Sequence, residues 1–127
     1  MNILTAINNA NKILKQNGIK NYQLDCELLM SKAIESEKKD ILINLDKQLS
    51  EGNLKYFDYL IEQRSKGKPI AYLINKKEFW KYEFFVSEGV LIPRPDTEVV
   101  VEQALSLTKH KSHLSILDIG VGSGCII

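Results

Sequence analysis

The chain has 127 residues, 44% of them hydrophobic and 26% charged, with 17 Lys and Arg against 16 Asp and Glu for a net charge of +1. This is the composition of an ordinary globular protein with material for one domain or two small ones, and it excludes a disordered chain. The near-neutral balance gives no electrostatic basis for nucleic acid or an anionic membrane, and no stretch approaches the ~18 apolar residues of a membrane span.

Met1-Asn2-Ile3-Leu4-Thr5 does not read as a signal peptide, because Asn and Lys interrupt the apolar residues that follow. Cys26 and Cys125 lie far apart in sequence, so two unpaired thiols in a reducing cytoplasm are expected. Ile3, Ile7, Ala10 and Leu14 recur at helical spacing and predict a helix that Gly18 terminates. Leu24, Leu28 and Leu29, with Met30, Ala33 and Ile34, predict a second helix through about Ser36, and Ile41, Leu42 and Leu45 mark a shorter third. Ser50 is the expected N-cap of a fourth, where Leu54, Phe57, Leu60, Ile61 and Arg64 keep helical spacing until Gly67 and Pro69 stop the run. Four short helices predict a small bundle over residues 1–68.

The pattern then changes. Glu78 to Val86 is rich in aromatics and predicts a β-hairpin turning near Lys81-Tyr82, with Trp80, Tyr82, Phe84 and Phe85 as its core, although no Asn-Gly or Asp-Gly pins the turn. Val90-Leu91-Ile92 continues extended into Pro93-Arg94-Pro95 and completes a linker over 69–92. Asp96 or Thr97 is expected to cap a helix through about Leu107 that buries Val100, Val101, Ala104 and Leu105. Leu114 to Ile119 reads as a buried strand. His110 and His113 have a His-x-x-His spacing, but no Cys, Asp or Glu cluster accompanies them and Lys109 and Lys111 flank the first. They read as a solvated connection.

The chemistry concentrates in Ile116 to Ile127, an apolar strand running into a turn with Gly120, Gly122 and Gly124. Residues without Cβ neither clash with a ligand nor forbid positive φ, so the backbone there can approach a ligand closely. A dinucleotide fingerprint, Gly-x-Gly-x-x-Gly, would require glycine where Cys125 stands; the third glycine comes one residue early. Asp118 lies one residue inside the strand end.

Ile116-Leu117-Asp118-Ile119-Gly120-Val121-Gly122-Ser123-Gly124 resembles the first motif of class I S-adenosylmethionine-dependent methyltransferases. Leu91-Ile92-Pro93-Arg94-Pro95-Asp96-Thr97-Glu98 resembles the Leu-Ile-Pro-Arg-Pro-Glu-Thr-Glu signature of the HemK/PrmC family, the glutamine methyltransferases that modify peptide-chain release factors. Gly67 to Leu73 with Glu78-Phe79-Trp80 is similar to that family's preceding segment, so the resemblance covers essentially the whole chain. Three positions depart from it: Asp96 for Glu, which keeps the charge and favours capping; Asn75 for a frequent Gly, where Asn tolerates left-handed φ; and Val121 for a frequent Thr, which loses a hydroxyl but not the backbone contacts.

The resemblance implies an α+β chain made of a helical bundle over 1–68, a hairpin linker over 69–92, and over 93–127 the first helix and strand of a class I, Rossmann-like methyltransferase domain. It implies S-adenosyl-L-methionine as cofactor, methyl transfer to the glutamine amide of a Gly-Gly-Gln motif, a release factor as protein partner met through the bundle, no direct nucleic acid and no membrane. Gly120, Val121, Gly122 and Gly124 would line the methionine-like tail with main-chain atoms, and Ser123 would add a hydroxyl. Asp118 either bonds the ligand's ammonium, directly or through water, or caps the turn's own N–H groups. Arg94 either approaches the cofactor from the side or pairs with Glu98 or Asp96 to fix the loop, while Pro93 and Pro95 stiffen it.

The family's catalytic Asn-Pro-Pro-Tyr does not occur in the chain, nor does the acidic residue that would bind the ribose. The chain is therefore expected to be an amino-terminal fragment, inactive by itself, with no catalytic residue of its own. Leu114 to Ile127 is expected to be poorly supported, since a strand of a parallel sheet needs parallel neighbours. Two alternatives remain: a non-catalytic interaction module built on the bundle, and a nicotinamide- or flavin-dependent oxidoreductase, which Cys125 in place of glycine disfavours.

Overall fold

Asn2 opens the first helix, its Oδ1 accepting the Thr5 N–H at 2.9 Å. In the computed structural model, which describes residues 1–127, the chain divides into two compact units, Met1–Ile74 and Asn75–Ile127. The first is helical: α1 (Ile3–Gln16), α2 (Tyr22–Ile34), α3 (Lys38–Ile43), α4 (Glu51–Ser65) and α5 (Ile70–Ile74). Helices α1, α2 and α4 pack on one another pairwise, α3 and α5 pack on α2, and α5 also meets α4. No helix is long and apolar enough to cross a membrane.

The buried face of α1 is Ile3, Ala6, Ile7, Ala10 and Leu14, which contains all four residues expected there. It meets Cys26, Leu29, Met30 and Ala33 of α2 and Phe57, Leu60 and Ile61 of α4 in one core. Leu24, expected inside, is exposed, and Cys26 takes an interior place. Full burial of the Ile, Leu, Met and Phe side chains among them contributes about 1.5–3 kcal/mol each, so this core is where the unit's stability lies.

Helix ends are closed by specific groups. The orphan N–H groups of Ile3 and Leu4 donate to the carbonyls of Lys47 and Leu45 at 3.1 and 3.0 Å, and Asn2 and Gln48 form an antiparallel bridge. At the end of α1, Ile19 N–H bonds Leu14 O and Gly18 N–H bonds Lys15 O, a Schellman closure with Gly18 at φ 76°. The end of α4 repeats it, with Lys68 N–H to Gln63 O, Gly67 N–H to Arg64 O and Gly67 at φ 93°. Ser50 caps α4 as expected, its Oγ accepting the Asn53 N–H at 3.1 Å. Leu45, expected in the third helix, lies beyond its end.

Pro69 does not end the helical region. Its carbonyl accepts the N–H groups of Tyr72 and Leu73 and starts α5, which puts Leu73 into the core and carries the compact unit six residues past position 68, to Ile74.

In the second unit, β1 (Lys76–Phe79) and β2 (Tyr82–Phe85) pair antiparallel from Lys76↔Phe85 to Phe79↔Tyr82. The two-residue loop is Trp80-Lys81, one position earlier than expected. Register decides which aromatics are buried. Phe85 stands opposite Lys76, on the face of Glu78 and Glu83, and is exposed; Tyr82 at the turn is exposed too. The buried residues are Phe79, Val86, Ile92 and Pro93, with Phe84 edge-on to Phe79 at 6.2 Å. Tyr82 and Phe85 are thus not its core, while Trp80, in the loop, is half-buried like Phe84. Asn75 has the expected left-handed backbone, φ 59°, and closes the open end of the hairpin through Asn75 Nδ2 to Val86 O at 3.2 Å.

Pro95–Thr97 forms a 3-10 turn leading into α6 (Glu98–Thr108). Neither Asp96 nor Thr97 supplies a side-chain cap; Pro95 stands at the first position of the 3-10 turn, where its missing N–H would have been an orphan in any case. None of α6 is buried, with Val100 at 53% and Leu105 at 55% exposure, because no apolar surface lies against it. Leu114–Ile119 forms no strand, and Leu117 and Ile119 are more than four-fifths exposed. The unit's sheet is the β1–β2 hairpin alone, and this segment pairs with neither strand. The chain as a whole is mixed helix with one small sheet, in keeping with the α+β expectation.

Candidate functional site

The glycine turn takes its form from backbone conformation. Gly120, Gly122 and Gly124 have φ of 75°, 59° and 81°, all left-handed, and the Gly124 N–H closes on Val121 O at 3.0 Å. A Cβ added at Gly120 would meet nothing within 4 Å, and at Gly122 or Gly124 nothing nearer than 3.9 Å. Glycine is required here for φ, then, and not because another part of the protein presses on the turn. Ser123, Gly124 and Cys125 are half-buried, while Val121 faces solvent.

Asp118 lies beside this turn, half-buried, and its Oδ2 is enclosed without a hydrogen-bond partner. The carboxylate does not cap the turn's N–H groups. A sequestered acceptor with no donor is costly unless something supplies one, and a ligand ammonium has the charge and the hydrogens to do so. This acceptor therefore fits the cationic end of an amino-acid-like ligand, with the turn's left-handed backbone alongside.

Arg94 is exposed and pairs with neither Asp96 nor Glu98, and no hydrogen bond joins it to the glycine turn. The expected loop-fixing ion pair is absent for a definite reason. Glu98 Oε1 instead accepts the backbone N–H of Trp80 at 2.8 Å, tying the start of α6 to the hairpin turn. Trp80 itself is left-handed, φ 57°, a conformation that costs an L-residue roughly 1–2 kcal/mol. Sequence reasoning missed this contact. The signal available was only an acidic residue four positions after Arg94, which suggested the wrong partner. His110 and His113 are exposed, and no group of three or more His, Cys, Asp or Glu is placed to hold a metal ion. Cys26 and Cys125 are free thiols.

A family model described as the PrmC N-terminal domain matches residues 5–74, which is most of the helical unit. The chain belongs to this family. Among curated proteins, this PrmC-family chain is similar to the release factor glutamine methyltransferase of Buchnera aphidicola subsp. Acyrthosiphon pisum, 45% identical over 114 residues that cover 90% of this chain and 41% of that protein. The enzyme of the same name from Geobacter sulfurreducens is 41% identical over 89% of this chain and 39% of its own length. That from Leptospira interrogans is 38% identical over 98% of this chain and 44% of its own. The PrmC-family chain thus spans well under half the length of these relatives, and the similarity runs through both units.

Proposed function

We propose that the protein containing these residues transfers a methyl group from S-adenosyl-L-methionine to the side-chain amide of the glutamine in a release factor's Gly-Gly-Gln motif. Similarity of nearly the whole chain to release factor glutamine methyltransferases carries this reading. The left-handed glycine turn beside an unpartnered Asp118 carboxylate supports it.

In this reading Asp118 holds the ligand's ammonium, the backbone from Gly120 to Gly124 lines its tail, Ser123 adds a hydroxyl, and Arg94 is available to an anionic group. S-adenosylmethionine, when bound, supplies a methyl group already activated on a sulfonium. The accepting amide is a poor nucleophile because its lone pair is delocalised, so transfer requires an amide held in line with its N–H groups accepted by fixed oxygens. The family's Asn-Pro-Pro-Tyr does that, and none occurs in these residues. The groups described here therefore bind and orient, and the 127 residues alone are expected not to transfer methyl. The helical unit docks the protein substrate in the cytoplasm, and Pro93 onward begins a Rossmann-like domain in which α6 and Leu114–Ile119 gain the apolar neighbours they lack here.

The test is incubation of the full-length protein with a bacterial-type release factor and methyl-labelled S-adenosylmethionine. Label should appear on the Gly-Gly-Gln glutamine and vanish when that glutamine is changed to glutamate; label elsewhere, or none, overturns the proposal. Asp118→Ala should weaken S-adenosylhomocysteine binding about tenfold or more by calorimetry, the loss expected for a charged hydrogen bond. NAD should not bind.

A further inference from the structure

The Trp80-Lys81 loop holds a tryptophan where two-residue hairpins ordinarily place Gly, Asn or Asp, since Trp80 has φ 57°. One bond from outside the hairpin meets it there, Trp80 N–H to Glu98 Oε1 at 2.8 Å. Glu98 is half-buried, opens α6, and stands four residues after Arg94, at the spacing where an Arg–Glu pair would form on a continuous helix. That pair is not made, because the carboxylate faces the hairpin and the 3-10 turn over Pro95–Thr97 intervenes.

We propose that Glu98 is a positioning residue. Its carboxylate clamps the hairpin turn to the Pro93–Thr97 loop, fixes where that loop presents Arg94, and, being engaged, leaves the Arg94 guanidinium free for the anionic group of a ligand. The clamp stands on the geometry alone. The consequence for Arg94 rests on the proposed cofactor reading.

A glutamine keeps the Oε1 acceptor and loses the charge, whereas alanine loses both. A Glu98 that mattered only through its charge at the start of α6 would be impaired equally by either change. A clamp is rescued by glutamine. In the 127-residue chain, Glu98→Ala should speed amide hydrogen exchange at Trp80 at least about tenfold, while Glu98→Gln keeps it within about threefold of the parent. Trp80 is the only tryptophan, so its emission should shift with alanine and not with glutamine. Core amides such as Leu29 should be unchanged in both. Unaltered Trp80 exchange in Glu98→Ala, or equal acceleration in the two variants, overturns the clamp.

In the full-length protein, Glu98→Ala should weaken S-adenosylhomocysteine binding at least about fivefold and Glu98→Gln should not. Equal binding by all three overturns the role through Arg94. If the parent itself does not bind this probe, the cofactor reading fails and takes the Arg94 role with it, while the exchange data still decide the clamp.

Discussion

Asp25 is buried at 4% exposure, and Arg64 satisfies it, Nε donating to Oδ2 at 2.7 Å while Nη1 donates to Lys68 O at 3.0 Å. One side chain thereby joins α2 to the last turn of α4 and to the segment that leads into α5. Removing Arg64 leaves a carboxylate buried without a counter-charge. Arg64→Met is expected to lower stability by about 3 kcal/mol in urea unfolding, and the double change with Asp25→Leu should recover most of it. Next to this pair, burial pushes the Cys26 thiol from its ordinary 9.0 up to about 12, with the charges of Asp25 and Glu27 adding to the effect. The folded state thus keeps a proton that the unfolded chain releases above pH 9. The resulting stability is whole below pH 9 and declines as pH rises from about 9 to about 12. Urea midpoints at pH 8 and pH 10 should differ less in Cys26→Ala than in the parent. At pH 8 a thiol reagent should label Cys125 and reach Cys26 only in denaturant.

Among the elements, α1 and α4 are both bounded by local signals, each with a capping side chain at its start and a left-handed glycine just past its end. Ser50→Ala should cost about 1 kcal/mol in thermal or urea unfolding, since the Asn53 N–H loses its partner. This is also the scale at which the sequence was most readable. Periodic apolar spacing located α1 and its core face, and the Ser50 and Gly67 signals bounded α4, because these depend on neighbours within the same helix. Pro69 misled: a proline stops a helix arriving from before it, yet its carbonyl is free to start the next. Apolar spacing in α6 and in Leu114–Ile119 predicted burial, but spacing describes only one side of a contact. Burial needs a second surface, and this unit provides none. The glycine turn was legible as a positive-φ segment. The unpartnered state of Asp118 and the Trp80–Glu98 bond were not, since both depend on how separate segments meet.

Across the molecule the two units differ in kind. Residues 1–74 have a continuous core, with side-chain caps at the starts of α1 and α4, and should fold alone with one cooperative transition and strong amide protection in α1, α2 and α4. In the second unit the buried residues are few and confined to the hairpin and the loop after it, while α6 and the glycine segment expose Val99, Val100, Leu105, Leu107, Leu117 and Ile119. Apolar exposure on that scale is an interaction surface or an association liability. Light scattering should therefore show concentration-dependent association of the 127-residue chain that residues 1–74 alone do not share. Equal behaviour of the two would show that the exposed residues of the second unit do not drive it.

The pairing of α1's first turn with Leu45, Lys47 and Gln48 sets an order of events during synthesis. Translation adds about 5–20 residues per second, so α1 leaves the ribosome seconds before the segment that answers the N–H groups of Ile3 and Leu4. Its apolar face must wait for α2 and α4 as well. The first helix to be made is thus among the last to be closed, and a slow codon run between α3 and α4 would prolong the interval in which a chaperone or protease can reach it.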